Sequence, residues 1–236
     1  MKILVISDSH INPAIPNIED WQRLGEYVVK TKPDVIVHLG DVADLSSLAW
    51  LKAQRGEFTT EEELEQVGRH IRTFENVIKA EQAKNRRDHK TIYNPEKYLC
   101  LGNHDIRQDF TGIAELFEDM DWLVADYLRP VVIDGVAFCH CMMRGLSDSP
   151  CTTAEELLQQ WHGTIVVGHS HQRDYSESYS IGLGSTIRAI KCPMFNSDDT
   201  GWAVQTRNKW SRGFTEINTN PFQFIWRDMS CLLNNS

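Results

Sequence analysis

Five short stretches of this sequence end an apolar run in side chains that can bind a metal ion or move a proton. VISDSH presents Asp8 and His10, and VHLGDVAD presents Asp41 and Asp44. LCLGNHD presents Asn103, His104 and Asp105, VAFCHC presents His140, and VVGHSH presents His169 and His171. Several of these bends carry a glycine (Gly40, Gly102, Gly168), which permits a tight turn. Asp8, Asp41 and Asn103 offer oxygen, while His10, His140, His169 and His171 offer nitrogen. That mixture suits Mn²⁺, Fe²⁺, Zn²⁺ or Ni²⁺ better than Ca²⁺ or a thiolate-bound metal. Seven ligands exceed one tetrahedral site with an open position. They suit two cations that share a carboxylate, about 3.5–4 Å apart. Any one of these turns alone is ordinary loop chemistry, and the reading rests on their combination.

The elements between the turns must bring them together. KILVI (2–6) reads as a buried strand, residues 18–30 as a helix with Ile18, Trp21, Leu24 and Val28 on one face, and residues 34–41 as a second strand. Strand, helix and strand in this order make a βαβ unit with parallel pairing. In such sheets, ligands gather beyond the carboxyl ends of the strands, where all five turns would lie. In residues 60–84, Leu64, Val67, Ile71, Phe74 and Ile78 follow at helical spacing, and Thr60 with Glu63 forms a capping-box pattern. This stripe is read as packing on its own domain, with a homodimer seam as the other reading. Its basic end, residues 79–90, is a solvated helix end or a contact for a phosphate-rich substrate. Further on, residues 112–119 read as helix and Asp134-Gly135 as a hairpin turn. Residues 153–161 read as a helix capped by Thr152 or Thr153, 163–171 as a strand with a polar end, and the chain beyond 180 as β-rich with a turn at 218–221.

The 236 residues suffice for one well-cored domain, and no repeat or low-complexity linker divides them, so residues 1–236 are expected to form a single domain. No run of about 18 apolar residues is present and the N-terminal apolar stretch is too short for a signal core, so a cytoplasmic protein without membrane contact is expected. The six cysteines form no C-x-x-C pair and read as reduced thiols. A formal charge of −9 argues against a broad nucleic-acid footprint and suits a site that collects cations.

The D-S-H at 8–10, G-D-V-A-D at 40–44, G-N-H-D at 102–105, His140 and G-H-S-H at 168–171 together resemble the calcineurin-like metallophosphoesterase superfamily. The resemblance spans residues 3–171. It implies an α/β fold, a four-layer α/β/β/α sandwich, here with a helical insertion at about 46–97. It also implies a dinuclear centre: one metal on Asp8, His10, Asp41 and His171, the other on Asp41, Asn103, His140 and His169. By the same resemblance, His104 lies near the scissile phosphate and Asp105 orients it. Two departures stand out. Cys141 occupies a position where the family often has glycine, and Leu45 and Asp105 replace residues typical of the protein Ser/Thr phosphatase branch.

The implied reaction is hydrolysis of a phosphate ester. Two divalent cations, Mn²⁺ first and Fe, Zn, Ni, Co or Mg as alternatives, would neutralise the phosphoryl oxygens and acidify a bridging water. The resulting hydroxide would attack phosphorus in line, with His104 and Asp105 serving as the catalytic pair at the leaving oxygen. A phosphodiesterase ranks first, a phosphomonoesterase second and a nuclease third, with a nucleotide or nucleic acid as the substrate suggested by the basic insertion. A non-catalytic metal-binding interaction scaffold is the reading from another class. Asp44 is read either as tether of a ligand histidine or as a helix cap. Arg107 and Arg144 are read as phosphate binders or as surface ion pairs, and His38 as structural.

Overall fold

Alternation along the central strands explains the architecture. In β1 (Lys2–Ile6), Ile3 and Val5 enter one core while Leu4 and Ile6 enter another, and all four are buried. A strand covered on both faces reads as a continuous apolar run. The computed structural model describes residues 1–14, 17–50, 57–196 and 210–233. Two parts of the sequence reading, residues 51–56 of the insertion and 197–209 of the tail, lie outside them.

The first sheet has six strands. β2 (Val35–His38), β3 (Glu96–Cys100) and β4 (Leu123–Ala125) follow β1 in parallel, in register Ile3↔Val35, Val37↔Tyr98 and Leu99↔Val124. On the other side of β1 the chain's last strands, β10 (Gly213–Thr219) and β11 (Phe222–Asp228), run antiparallel. The second sheet comprises β5 (Val131–Ile133), β6 (Val136–Cys139), β7 (Thr164–Val167), β8 (Asp174–Ser180) and β9 (Ser185–Lys191), in the order β5-β6-β7-β9-β8. β5 and β6 form the expected hairpin around Asp134-Gly135, while β6, β7 and β9 are parallel.

The helices α1 (Ile18–Thr31), α2 (Thr60–Arg87) and α3 (Gly112–Glu118) cover the outer face of the first sheet. Their Trp21, Leu24, Val28, Phe74, Ile78 and Phe117 pack on Leu4, Ile6, Ile36 and Leu99. Ile3, Val5, Val35 and Val37 meet Phe138, Val166 and Ile190 between the sheets. On the far side, α4 (Ala154–Trp161) lays Ala154, Leu157 and Leu158 on Ile165, Val167 and Ala189. The result is the expected four-layer α/β/β/α sandwich. Each fully buried Phe or Leu contributes roughly 1.5–3 kcal/mol of transfer free energy. A short helix, α5 (Ser230–Leu233), ends the described chain.

The α2 helix differs from its sequence reading in two ways. Its capping box is Thr59 with Glu62, because Thr59 has the extended backbone an N-cap needs and Thr60 is already helical. Glu63 instead turns inward and is fully buried. It accepts N–H bonds from Ser46 (2.8 Å) and Ser47 (3.1 Å) and pins the short turn after the second polar loop. The apolar stripe Val67, Ile71, Phe74 and Ile78 lies in the chain's own core, against α1. The basic end lies away from the polar loops. Gln82 donates to the Tyr93 carbonyl, the Tyr93 hydroxyl donates to the Pro33 carbonyl, and Lys32 reaches Glu81 (4.0 Å), all near the amino ends of β2 and β3. Twenty-eight helical residues span about 42 Å. The helix therefore carries its basic residues to the opposite end of the sheet.

Candidate metal centre

The five polar turns converge at the carboxyl ends of β1, β2, β3, β6 and β7. A backbone ladder locks the first two together: Asp8 N–H donates to Gly40 O, His10 N–H to Asp41 O and Ile11 N–H to Val42 O (3.0, 3.0 and 2.8 Å). The third turn presses on the second so closely that a Cβ on Gly102 would lie 2.3 Å from Asp41 N. The fifth binds the first and fourth, as His169 N–H donates to the Asp8 carboxylate (3.0 Å to Oδ2) and Gly168 N–H to His140 O (3.0 Å). Only a glycine fits at 168, where a Cβ would meet Ser7 Oγ at 1.9 Å.

All seven candidate ligands are brought together. Asp8, His10 and His171 form one cluster, with His10 Nε2 3.1 Å from His171 Nε2 and His171 Nε2 3.4 Å from Asp8 Oδ1. Asp41, His140 and His169 form a second, with His140 Nε2 3.1 Å from His169 Nδ1, 3.3 Å from Asp41 Oδ2 and 3.0 Å from Asn103 Oδ1. Asp41 Oδ2 is also 3.9 Å from His10 Nε2, so one carboxylate oxygen faces both clusters. Asp8, His10, Asp41, His140 and His171 are buried, and Asn103 and His169 are half-buried.

The donor chemistry fits divalent cations. His10 Nδ1 contacts Asp44 Oδ1 (3.2 Å) and His140 Nδ1 contacts the Leu39 carbonyl (2.7 Å). With each Nδ1–H donated outward, each Nε2 lone pair points at the cluster, as in metal-binding histidines. Imidazole nitrogens 3.1 Å apart converge on one point in each cluster. Asp8, His10, Asp41, His169 and His171 all adopt left-handed backbone (φ 52°, 42°, 49°, 68° and 57°). Each costs roughly 1–2 kcal/mol, strain that functional sites retain.

Charges follow the same geometry. Burial would raise the Asp8 carboxyl, but the neighbouring His171 outweighs it and holds it below the usual range. Asp41 behaves alike: burial opposes ionisation, and His140 and His104 push it well down. His140, despite burial, is raised to about 9 by Asp41. His104 is lowered to about 4, chiefly by burial, and His38, inside β2, to about 3 for the same reason. His38 bonds Ser9 and the Gly40 amide within the core, consistent with a structural part.

Asp105 has partners other than the expected one, and Arg144 takes the ion-pair reading. Asp105 accepts from Val42 N–H (2.9 Å) and Gly102 N–H (2.8 Å), so its two oxygens tie the second loop to the third instead of orienting His104. Burial, then the charge of Asp41, raises it to about 7. His104 Nδ1 is held by the Asp44 carbonyl (2.8 Å). Asp44 thus serves as tether: its carboxylate holds His10 and its carbonyl holds His104. Together the three also form a third possible ligand group. Arg107 donates to Asp44 O and Leu45 O and touches His104 Nε2 at 3.0 Å, whereas Arg144 pairs with Glu156 (3.3 Å) in front of α4.

The sequence reading missed the tail's contribution. Phe195 N–H donates to Ser7 O, Asn196 Nδ2 to Ser9 O and Ser211 N–H to His171 O, and the Trp210 ring stands edge-on to His171 with centroids 4.4 Å apart. No spacing rule marks these residues, because they act through long-range contacts made only in the folded chain.

A family model described as calcineurin-like phosphoesterase matches residues 1–182. The chain belongs to this family. Its members are metal-dependent phosphoester hydrolases, and the Asp/His clusters are compatible with divalent ions. Similar solved structures include the nuclease MPE of Pseudomonas putida, at 16% identity over 85% of this chain and 76% of that one, with a TM-score of 0.39. Yfce, a phosphoesterase from E. coli, aligns at 14% identity over 98% and 95% of the two chains, with a TM-score of 0.46. TT1561 of Thermus thermophilus aligns at 8% identity over 97% and 98%, with a TM-score of 0.47. No curated protein matches the sequence. No helix among the described residues is long and apolar enough to cross a membrane.

Proposed function

We propose that this protein hydrolyses phosphodiesters with a pair of divalent cations, one held by Asp8, His10, Asp41 and His171 and the other by Asp41, Asn103, His140 and His169. The observation that carries the reading is Asp41 Oδ2, which faces His140 Nε2 at 3.3 Å and His10 Nε2 at 3.9 Å. When bound, the cations supply Lewis acidity to the phosphoryl oxygens and lower the pKa of a water between them. The remaining chemistry belongs to the chain. The loop ladder fixes the donors before substrate arrives, which lowers the entropy cost of assembling the reactive geometry. His104, half-buried, donates its Nδ1–H to the Asp44 carbonyl, which leaves Nε2 an acceptor facing Arg107; once Nε2 takes up a proton, the ring stabilises charge at the leaving oxygen or delivers that proton there.

The basic end of α2 lends no support to a nucleic-acid substrate, because it sits at the other end of the first sheet. Metal analysis combined with hydrolysis of bis(p-nitrophenyl) phosphate and p-nitrophenyl phosphate tests the reading. Two equivalents of metal and Mn²⁺-dependent turnover of the diester are expected. One equivalent, or turnover of the monoester alone, refutes the finer assignment.

A further inference from the structure

We propose that Arg107 is a substrate-binding residue whose guanidinium takes a non-bridging oxygen of the phosphoester beside His104. The inference rests on the reading of this site as a phosphoester hydrolase. Arg107 lies in the short turn after the third polar loop, and its side chain is half-buried. A guanidinium has five N–H donors. Those of Nη1 go to the carbonyls of Asp44 (2.8 Å) and Leu45 (3.2 Å), and one of Nη2 faces His104 Nε2 at 3.0 Å. Two donors, on Nε and Nη2, have no protein partner among the described residues.

The charge balance points the same way. Among the described residues no carboxylate pairs with Arg107, since Asp44 turns its own carboxylate to His10 and Asn12. Other arginines near the site are neutralised: Arg144 pairs with Glu156 at 3.3 Å and Arg173 with Asp228 at 2.6 Å. A permanent cation held one hydrogen bond from His104, with no carboxylate partner among the described residues, is suited to an arriving anion. Arginine's planar fork matches two phosphate oxygens, which an ammonium cannot do. A residue that only stapled the second loop to the third would need Nη1 alone.

The His104 ring fixes where the anion sits. Its centroid lies 4.8 Å from that of His10, at the edge of the first cluster, and Arg107 Nη2 stands 3.0 Å from its Nε2. An oxygen bound there belongs to the phosphate being cleaved or to its leaving group. Arg107 therefore adds affinity for phosphate without touching a candidate ligand.

The test uses inorganic phosphate as the probe. Binding to the Mn²⁺-loaded protein is measured by calorimetry, and KM and kcat are measured on both nitrophenyl esters, for wild type, Arg107→Ala and Arg107→Lys. Metal content and melting temperature are recorded for each. Arg107→Ala should weaken phosphate binding about 10- to 100-fold, the worth of a charge-assisted pair. Arg107→Lys should recover part of that loss, and metal content should stay at the wild-type value in both. Unchanged phosphate affinity in Arg107→Ala overturns the proposal. So does loss of metal in both variants, which would make Arg107 a staple. If the wild type hydrolyses neither ester with any cation, the hydrolase reading fails, while the calorimetry still decides whether Arg107 binds phosphate.

Discussion

Replacing Gly102 with alanine tests whether loop contact positions Asp41. The added methyl would lie 2.3 Å from Asp41 N and 2.3 Å from Asp41 Oδ1. Non-bonded carbon contacts settle near 3.5 Å, so the second and third loops must part by about 1 Å. Neither neighbour can swing aside cheaply. One is backbone, and the other is a carboxylate oxygen held by His104 N–H at 2.8 Å. Overpacking of this kind costs about 1–3 kcal/mol, which for a chain of 236 residues lowers the melting temperature by about 3–10 °C. The larger effect falls on the site, because about 1 Å of misplacement costs roughly 10²-fold in rate. Gly135→Ala is the control. It meets nothing within 4 Å but has φ +79°, so it pays a backbone penalty of roughly 1–2 kcal/mol far from the site. Thermal melting, metal content and diester turnover should separate the two: both melt earlier, and only Gly102→Ala loses metal and rate. A Gly102→Ala protein with full metal and the wild-type rate would refute the reasoning.

His104→Ala should keep its metal while turnover falls by roughly 10²–10⁴-fold, and metal loss measured by elemental analysis would make His104 a ligand. Asp105→Asn should lower stability by about 1–3 kcal/mol in a denaturant titration, because its amide places a donor against the Val42 or Gly102 N–H. If Asp105 instead acted on His104, kcat would drop with stability intact. In the metal-free protein, the folded pKa of His140 is about 9 against 6.5 unfolded. Its contribution, about 3 kcal/mol, is therefore full below pH 6.5 and lost as pH rises through 9. Melting of chelator-treated protein across that window should show the decline, and His140→Gln should flatten it.

What was legible in the sequence follows the range of the interaction. A short continuous apolar run marks β1, and helical spacing marks α1 and α2, because burial acts on each side chain locally. The polar turns were legible because a strand end followed by Asp, Asn or His is a local pattern. Capping was legible to within one residue: Thr59 and Thr60 are chemically equal, and only the extended backbone at 59 separates them. Asp105 was misread because its partners, the amides of Val42 and Gly102, lie on loops whose contact no spacing encodes. Of the two readings of the basic end of α2, geometry favours the solvated helix end, since helix length carries it away from the loops.

The site also explains why strained residues are tolerated. Left-handed turns at Asp8, His10 and Asp41 would relax if each loop stood alone. They persist because the amides of residues 8, 10 and 11 are paired with the carbonyls of 40, 41 and 42, so relaxing one turn breaks a ladder shared with the next. The second sheet closes the arrangement: His140 reaches across to the Leu39 carbonyl, and His169 N–H to the Asp8 carboxylate. Neither sheet holds a complete donor set. The two-cation reading thus makes the inter-sheet core of Val5, Val37, Phe138 and Val166 part of the catalytic apparatus, because its packing sets how far His140 and His169 stand from Asp41 and Asp8.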